Sequence, residues 1–339
     1  MRIALCPPPA VVRKAGTGPV RPRPAFSPCR PPGSLSNARM ARSDNLTGAL
    51  LMMVAMAAFT VNDTILKSMA GDVPLYQLLF LRGIATSLAI GVIAWRRGVF
   101  RHRPSRGDRN AIGLRSLAEV AATYFYLVAL FHMPLANVSA ILQALPLTIT
   151  LGAALFLGDR LGWRRMLAIA AGFCGVLLIV RPGAEGFTVH SLSALASVAL
   201  ATVRDLSTRR LTRETPSLMV TFTTSAGVMA AFGVASIWQP WEAMQPREVA
   251  LISLSAVVTV VGYLLSVMVM RVGEVSFVAP FRYTGLIWAL GLGWVVFGDW
   301  PKALTLLGAA IVVGSGLFTL YREARAGRKR SAARALHPR

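Results

Sequence analysis

From residue 46 to residue 321 the chain is a succession of long apolar runs separated by short polar or Pro/Gly-containing breaks. Splitting it at charges and turn residues gives ten segments: 46–66, 74–95, 111–131, 135–157, 166–181, 190–208, 217–238, 249–270, 275–297 and 303–321. Each is close to the ~20 residues that a helix needs to cross a hydrocarbon layer about 30 Å thick. The pattern predicts an all-α integral membrane protein with ten transmembrane helices.

Composition agrees. Of 339 residues, 55% are hydrophobic and 15% charged, well under the roughly 25% charge of soluble domains. Three cysteines (Cys6, Cys29 and Cys174) with no Cys/His cluster give neither a disulfide framework nor a metal site. The net charge of +22 and a pI near 11.5 raise nucleic-acid binding as a reading. The placement of the basic residues removes it. With the N-terminus inside and the segments alternating, 29 Lys and Arg fall on inside segments and 4 on outside loops. That is the positive-inside signature, and it puts both termini in the cytoplasm of a cell (inner) membrane protein. Membrane lipids are expected neighbours of the basic loops.

Residues 1–45 differ from the rest. They hold nine of the twenty prolines, eight basic residues and one acid, Asp44. Such a stretch buries too little apolar surface to order itself and reads as a disordered tail. Met40, just ahead of the first apolar run, is the expected true start. Residues 322–339 form a second, basic cytoplasmic tail.

The remainder is an internal duplication. Thr60-Val61-Asn62-Asp63 recurs as Thr202-Val203-Arg204-Asp205, Tyr126 as Tyr263, Val138-Ser139 as Val275-Ser276, and Leu157-Gly158-Asp159 as Phe297-Gly298-Asp299. The halves are 46–181 and 190–321. Five helices per half is an odd number, so the second copy crosses the membrane in the opposite sense. Inverted repeats are a common architecture of secondary transporters. In detail the halves resemble the drug/metabolite transporter superfamily with tandem EamA-type repeats. The resemblance rests on Phe80-Leu81-Arg82-Gly83, on Ala136-Asn137-Val138-Ser139-Ala140 with Pro146 and Gly158-Asp159, and on Gly273-Glu274-Val275-Ser276 with Pro280-Phe281-Arg282-Tyr283-Thr284-Gly285 and Gly298-Asp299. It implies ten helices and carrier transport of small organic solutes.

Charged residues inside apolar helices are costly, about 2.5–3.5 kcal/mol each on insertion scales, and mark paths or partners. Arg82 and Glu119 are each nine residues into their segments, and Arg115 lies one turn before Glu119. Either Arg82 or Glu119 serves the translocation path, or the two form a structural ion pair. Arg282 follows Pro280, and Gln143 and Pro146 hold a comparable place in the first half. Prolines weaken the helix there, and a loosened segment in both halves points to a binding site that Arg282, Tyr283 and Thr284 would furnish. The alternative is a plain kink with a snorkelling arginine. Tyr126 and Tyr263 either face a pocket or act as packing anchors. Asn62-Asp63 and Arg204-Asp205 sit near helix ends and read as solvated. Glycines such as Gly175 and Gly308 suit helix packing or a homodimer surface.

No GxxxxGK[ST] sequence is present, so the chain carries no ATP-driven motor motif. Two functions remain: a secondary carrier of a small-molecule substrate, without cofactor, or a membrane enzyme acting on a lipid or isoprenoid. The scattered acids and the inverted duplication favour the carrier.

Overall fold

The computed structural model describes residues 34–158, 162–181, 189–212, 214–272 and 275–336. Twelve helices and three short 3-10 turns make up the described chain, with no strand among those residues. In order they are α1 (Ser34–Lys67), α2 (Leu75–Arg96), α3 (Arg106–His132), α4 (Leu135–Leu142), α5 (Leu145–Leu157), α6 (Trp163–Val180), α7 (Val189–Arg209), α8 (Ser217–Ala235), α9 (Pro246–Val272), α10 (Val275–Val278), α11 (Thr284–Phe297) and α12 (Ala303–Leu336). Eight stretches, with α4 and α5 counted as one run, are long and apolar enough to cross a membrane. The other two expected spans are present but modified. In α7, Ser191, Ser193, Ser197 and Thr202 are buried and Arg204 and Asp205 lie near its end, so polarity on its inward face lowers its hydropathy. The ninth span is cut into α10, a 3-10 turn at Ala279–Tyr283 and α11.

One boundary differs clearly. Helix α1 begins at Ser34, so residues 34–45 are helical where an irregular tail was expected. Leu, Ala, Arg and Met in that stretch are good helix formers and extend a helix already nucleated by the apolar run. Residues 1–33 of that tail, and Asp159 and Glu274 of the repeated motifs, lie outside the described residues.

The packing follows the duplication. α1 runs along α9 and α3 runs along α7, while α2 packs on α8 and α6 on α12. Exchanging the halves turns α1–α9 into α7–α3 and returns α2–α8 and α6–α12 to themselves. An approximate two-fold axis therefore relates the five-helix repeats, and the repeats face each other across it. Local geometry repeats too. α5 ends at Gly158 and α11 at Gly298, both left-handed with φ of 72° and 70°, where a side chain would add strain.

Close approach holds the α6–α12 pair. A Cβ on Gly175 would stand 2.7 Å from the Gly308 carbonyl oxygen, and one on Gly308 would stand 2.6 Å from that of Gly175. Gly175 and Gly308 thus serve helix packing within the chain.

Candidate functional site

A cavity of about 420 Å³ lies between the repeats. Its walls come from α1, α2, α3, α4, the start of α5, α7, α9, the 3-10 turn and α11. The helix interruptions help to shape it. Pro146 stands in the first turn of α5 and Pro280 in the 3-10 turn. Each ring lacks the N–H that would continue the ladder. The two breaks meet: a Cβ on Gly285 would stand 3.7 Å from the Gln143 amide nitrogen.

Of the sequence-predicted residues, Arg82, Arg115, Glu119, Tyr126, Gln143, Tyr263 and Arg282 line the cavity. Tyr283 and Thr284 do not. Tyr283 is buried against α12, where its hydroxyl would clash with any side chain at Gly316. Thr284 Oγ1 donates to the Phe281 carbonyl at 2.7 Å. The prolines shape the site from behind and are not part of its lining.

The Arg82–Glu119 ion pair does not form. Glu119 Oε2 instead accepts from Arg204 Nη1 at 3.0 Å, and Arg204 Nε donates to its neighbour Asp205 at 2.8 Å. The cause is architectural: α3 runs along α7, whereas α2 packs on α8 and α9. Arg115 also faces α7, and its Nη1 donates to Thr208 Oγ1.

The dipeptides read as solvated ends belong to the site. Asn62, Asp63, Arg204 and Asp205 all line the cavity, and Asn62 is buried. Asn62 Oδ1 accepts from Ser255 Oγ at 2.6 Å and Thr259 Oγ1 at 2.9 Å on α9. Asp63 accepts from Tyr126 Oη at 2.6 Å and from Asn62 Nδ2 at 3.1 Å. The repeat match at Thr60–Asp63 and Thr202–Asp205 was the available signal, since it put related polar motifs at equivalent places on two helices that the fold brings to the cavity.

The polar clamps are thus equivalent in place and different in charge. Across α7–α3 the clamp is Arg204–Glu119. Across α1–α9 it is Asn62 with two hydroxyls. Among the described residues, Arg82 and Arg282 make no salt bridge and stay open to the cavity. Tyr263 packs edge-on against Phe59, with centroids 5.6 Å apart, and gives one wall an aromatic surface.

Comparison with known proteins identifies the family. The model of the EamA-like transporter family matches residues 46–181 and again 189–321. The chain belongs to the EamA-like transporter family. The pseudopaline exporter CntI of Pseudomonas aeruginosa is 26% identical over 272 residues, covering 79% of this chain and 93% of that protein. A riboflavin transporter of Rhizobium johnstonii is 28% identical over 299 residues, covering 84% and 94%. An S-adenosylmethionine uptake transporter of Rickettsia conorii is 24% identical over 284 residues, covering 83% and 95%. A solved crystal structure at 20% identity shares the fold with a TM-score of 0.57, covering 84% of this chain and 98% of its own. These relatives are transporters, not enzymes, and this member of the family is a multi-pass membrane transporter.

Proposed function

We propose that the protein is a secondary carrier for a small organic metabolite bearing an anionic group, bound in the cavity between the repeats and moved by alternating access. The observation that carries this reading is the pair of guanidiniums, Arg82 and Arg282, open to the cavity without a carboxylate partner among the described residues. Cations held in apolar surroundings favour an incoming anion. Tyr126, Tyr263 and Phe59 supply faces for an organic body. Relatives named for pseudopaline export, riboflavin transport and S-adenosylmethionine uptake are consistent with a metabolite of this size, moved in either direction. The basic-residue bias supports a location in the cell membrane with both termini in the cytoplasm.

The test is thermal stabilisation of the purified chain against a metabolite panel that includes riboflavin, S-adenosylmethionine and polycarboxylates. Solutes that stabilise the wild type are then measured for flux in proteoliposomes. Arg282→Ala should lose about ten- to hundredfold in affinity, the equivalent of a charge-assisted contact of about 1.5–3 kcal/mol. Arg282→Lys should recover part of it, since the ammonium lacks the planar fork. Arg82→Ala should weaken binding with little change in melting. Unchanged binding and flux in both Ala variants would remove the cavity arginines from the reading.

A further inference from the structure

We propose that Asp63 is the proton-carrying group that couples transport to the proton gradient. The inference rests on the cavity being the solute path, and it comes from the way the duplicated motif has diverged. Asp205 in the second repeat is neutralised next door by Arg204, which in turn holds Glu119. The equivalent of Arg204 in the first repeat is Asn62, which is neutral. Asp63 is therefore left with two uncharged donors, Tyr126 Oη and Asn62 Nδ2, and with no salt-bridge partner among the described residues. It faces the same cavity.

The charged and titratable surroundings support this assignment. On its own helix Lys67 lies one turn on, but its ammonium donates to the Leu130 and Met133 carbonyls. Arg82 of α2 is the cation whose field reaches Asp63. Arg115 and Glu119 of α3 are engaged with Thr208 and Arg204. Tyr263 of α9 and Arg282 of the 3-10 turn complete the lining on the elements packed against α1. An unpaired carboxylate among apolar helices is costly as an anion, and a proton removes that cost without rearranging the fold. Intramembrane carboxylates serve as proton relays for this reason. Arg82 links the two events: an anion drawn onto Arg82 adds negative charge beside Asp63, and a proton on Asp63 relieves the repulsion. Proton and solute therefore load together.

The experiment needs no solute. Proteoliposomes of the full chain, adsorbed on a solid-supported membrane, receive a pH step while capacitive current is recorded. Surface carboxylates titrate without moving charge through the low-dielectric layer, whereas a proton entering the cavity produces a transient. We expect a transient in the wild type and in Asp72→Asn, an exposed carboxylate outside the cavity lining, and its loss in Asp63→Asn. Asp63→Glu retains it. As a check that depends on no variant, dicyclohexylcarbodiimide, which attacks protonated carboxyls in apolar surroundings, labels Asp63 in the wild-type protein and abolishes the current. An Asp63→Asn transient equal to wild type, or a current that survives full labelling of Asp63, overturns the assignment. Failure of the solute reading shows elsewhere, as unchanged solute binding in Arg82→Ala and Arg282→Ala alongside a normal Asp63-dependent transient.

Discussion

At the residue scale the site is defined by which charges find partners. Glu119 and Arg204 are mostly shielded, with side-chain exposures of 16% and 22%, so each depends on the other. Breaking a buried pair from one side costs about 3–5 kcal/mol, while replacing both members can be close to neutral. Glu119→Gln should therefore lower the melting temperature sharply. Adding Arg204→Asn together with Asp205→Asn, which removes all three charges of the cluster so that none is left unpaired, should restore much of it. Strictly additive losses, measured by thermal denaturation of the purified variants, would show that these residues do not act as a unit. The sequence made Arg82, Glu119 and Arg282 visible, because a charge inside an apolar run needs no structure to be noticed. It did not show which charge meets which. That depends on α3 lying along α7, a contact between residues more than eighty positions apart in the chain. Asp63 and Asp205 were misread for a related reason. A residue near a helix end is solvated only where no other helix shields it, and here α9 and α3 pack along those ends.

At the element scale, interruptions and small residues do the positioning. Proline chemistry announced both breaks at sequence level, and the structure shows them meeting at Gln143 and Gly285. The sequence gives no sign of whether Tyr283 and Thr284 point inward, since a 3-10 turn rotates side chains differently from the α-helix assumed in counting positions. The α6–α12 contact leaves no room for a side chain, because the atom facing Gly175 is backbone and cannot swing aside. Gly175→Ala should cost about 1–3 kcal/mol, the usual range for overpacking. Gly314→Ala on α12, where a Cβ meets nothing within 4 Å, should be neutral or stabilising by up to about 1 kcal/mol from helix propensity. Both are read as shifts in melting temperature, and equal shifts in the two variants would contradict the close-approach account.

At the scale of the whole molecule, the number of helices per repeat determines the rest. Five is odd, so the copies are inverted, and the proposed alternating access draws on the two ways in which an inverted pair around a shared axis can close. Their sequences are no longer identical, as Asn62 and Arg204 show, so the two closed forms need not be equally populated. Solute access from both sides is the central claim, and it is measured directly by replacing Cys6, Cys29 and Cys174 with Ser and introducing Gln143→Cys at the break facing the cavity. A membrane-impermeant maleimide is applied to right-side-out and to inside-out vesicles. The account predicts labelling of position 143 from both sides of the same protein population. Labelling from one side only, at every concentration and time, would contradict alternating access.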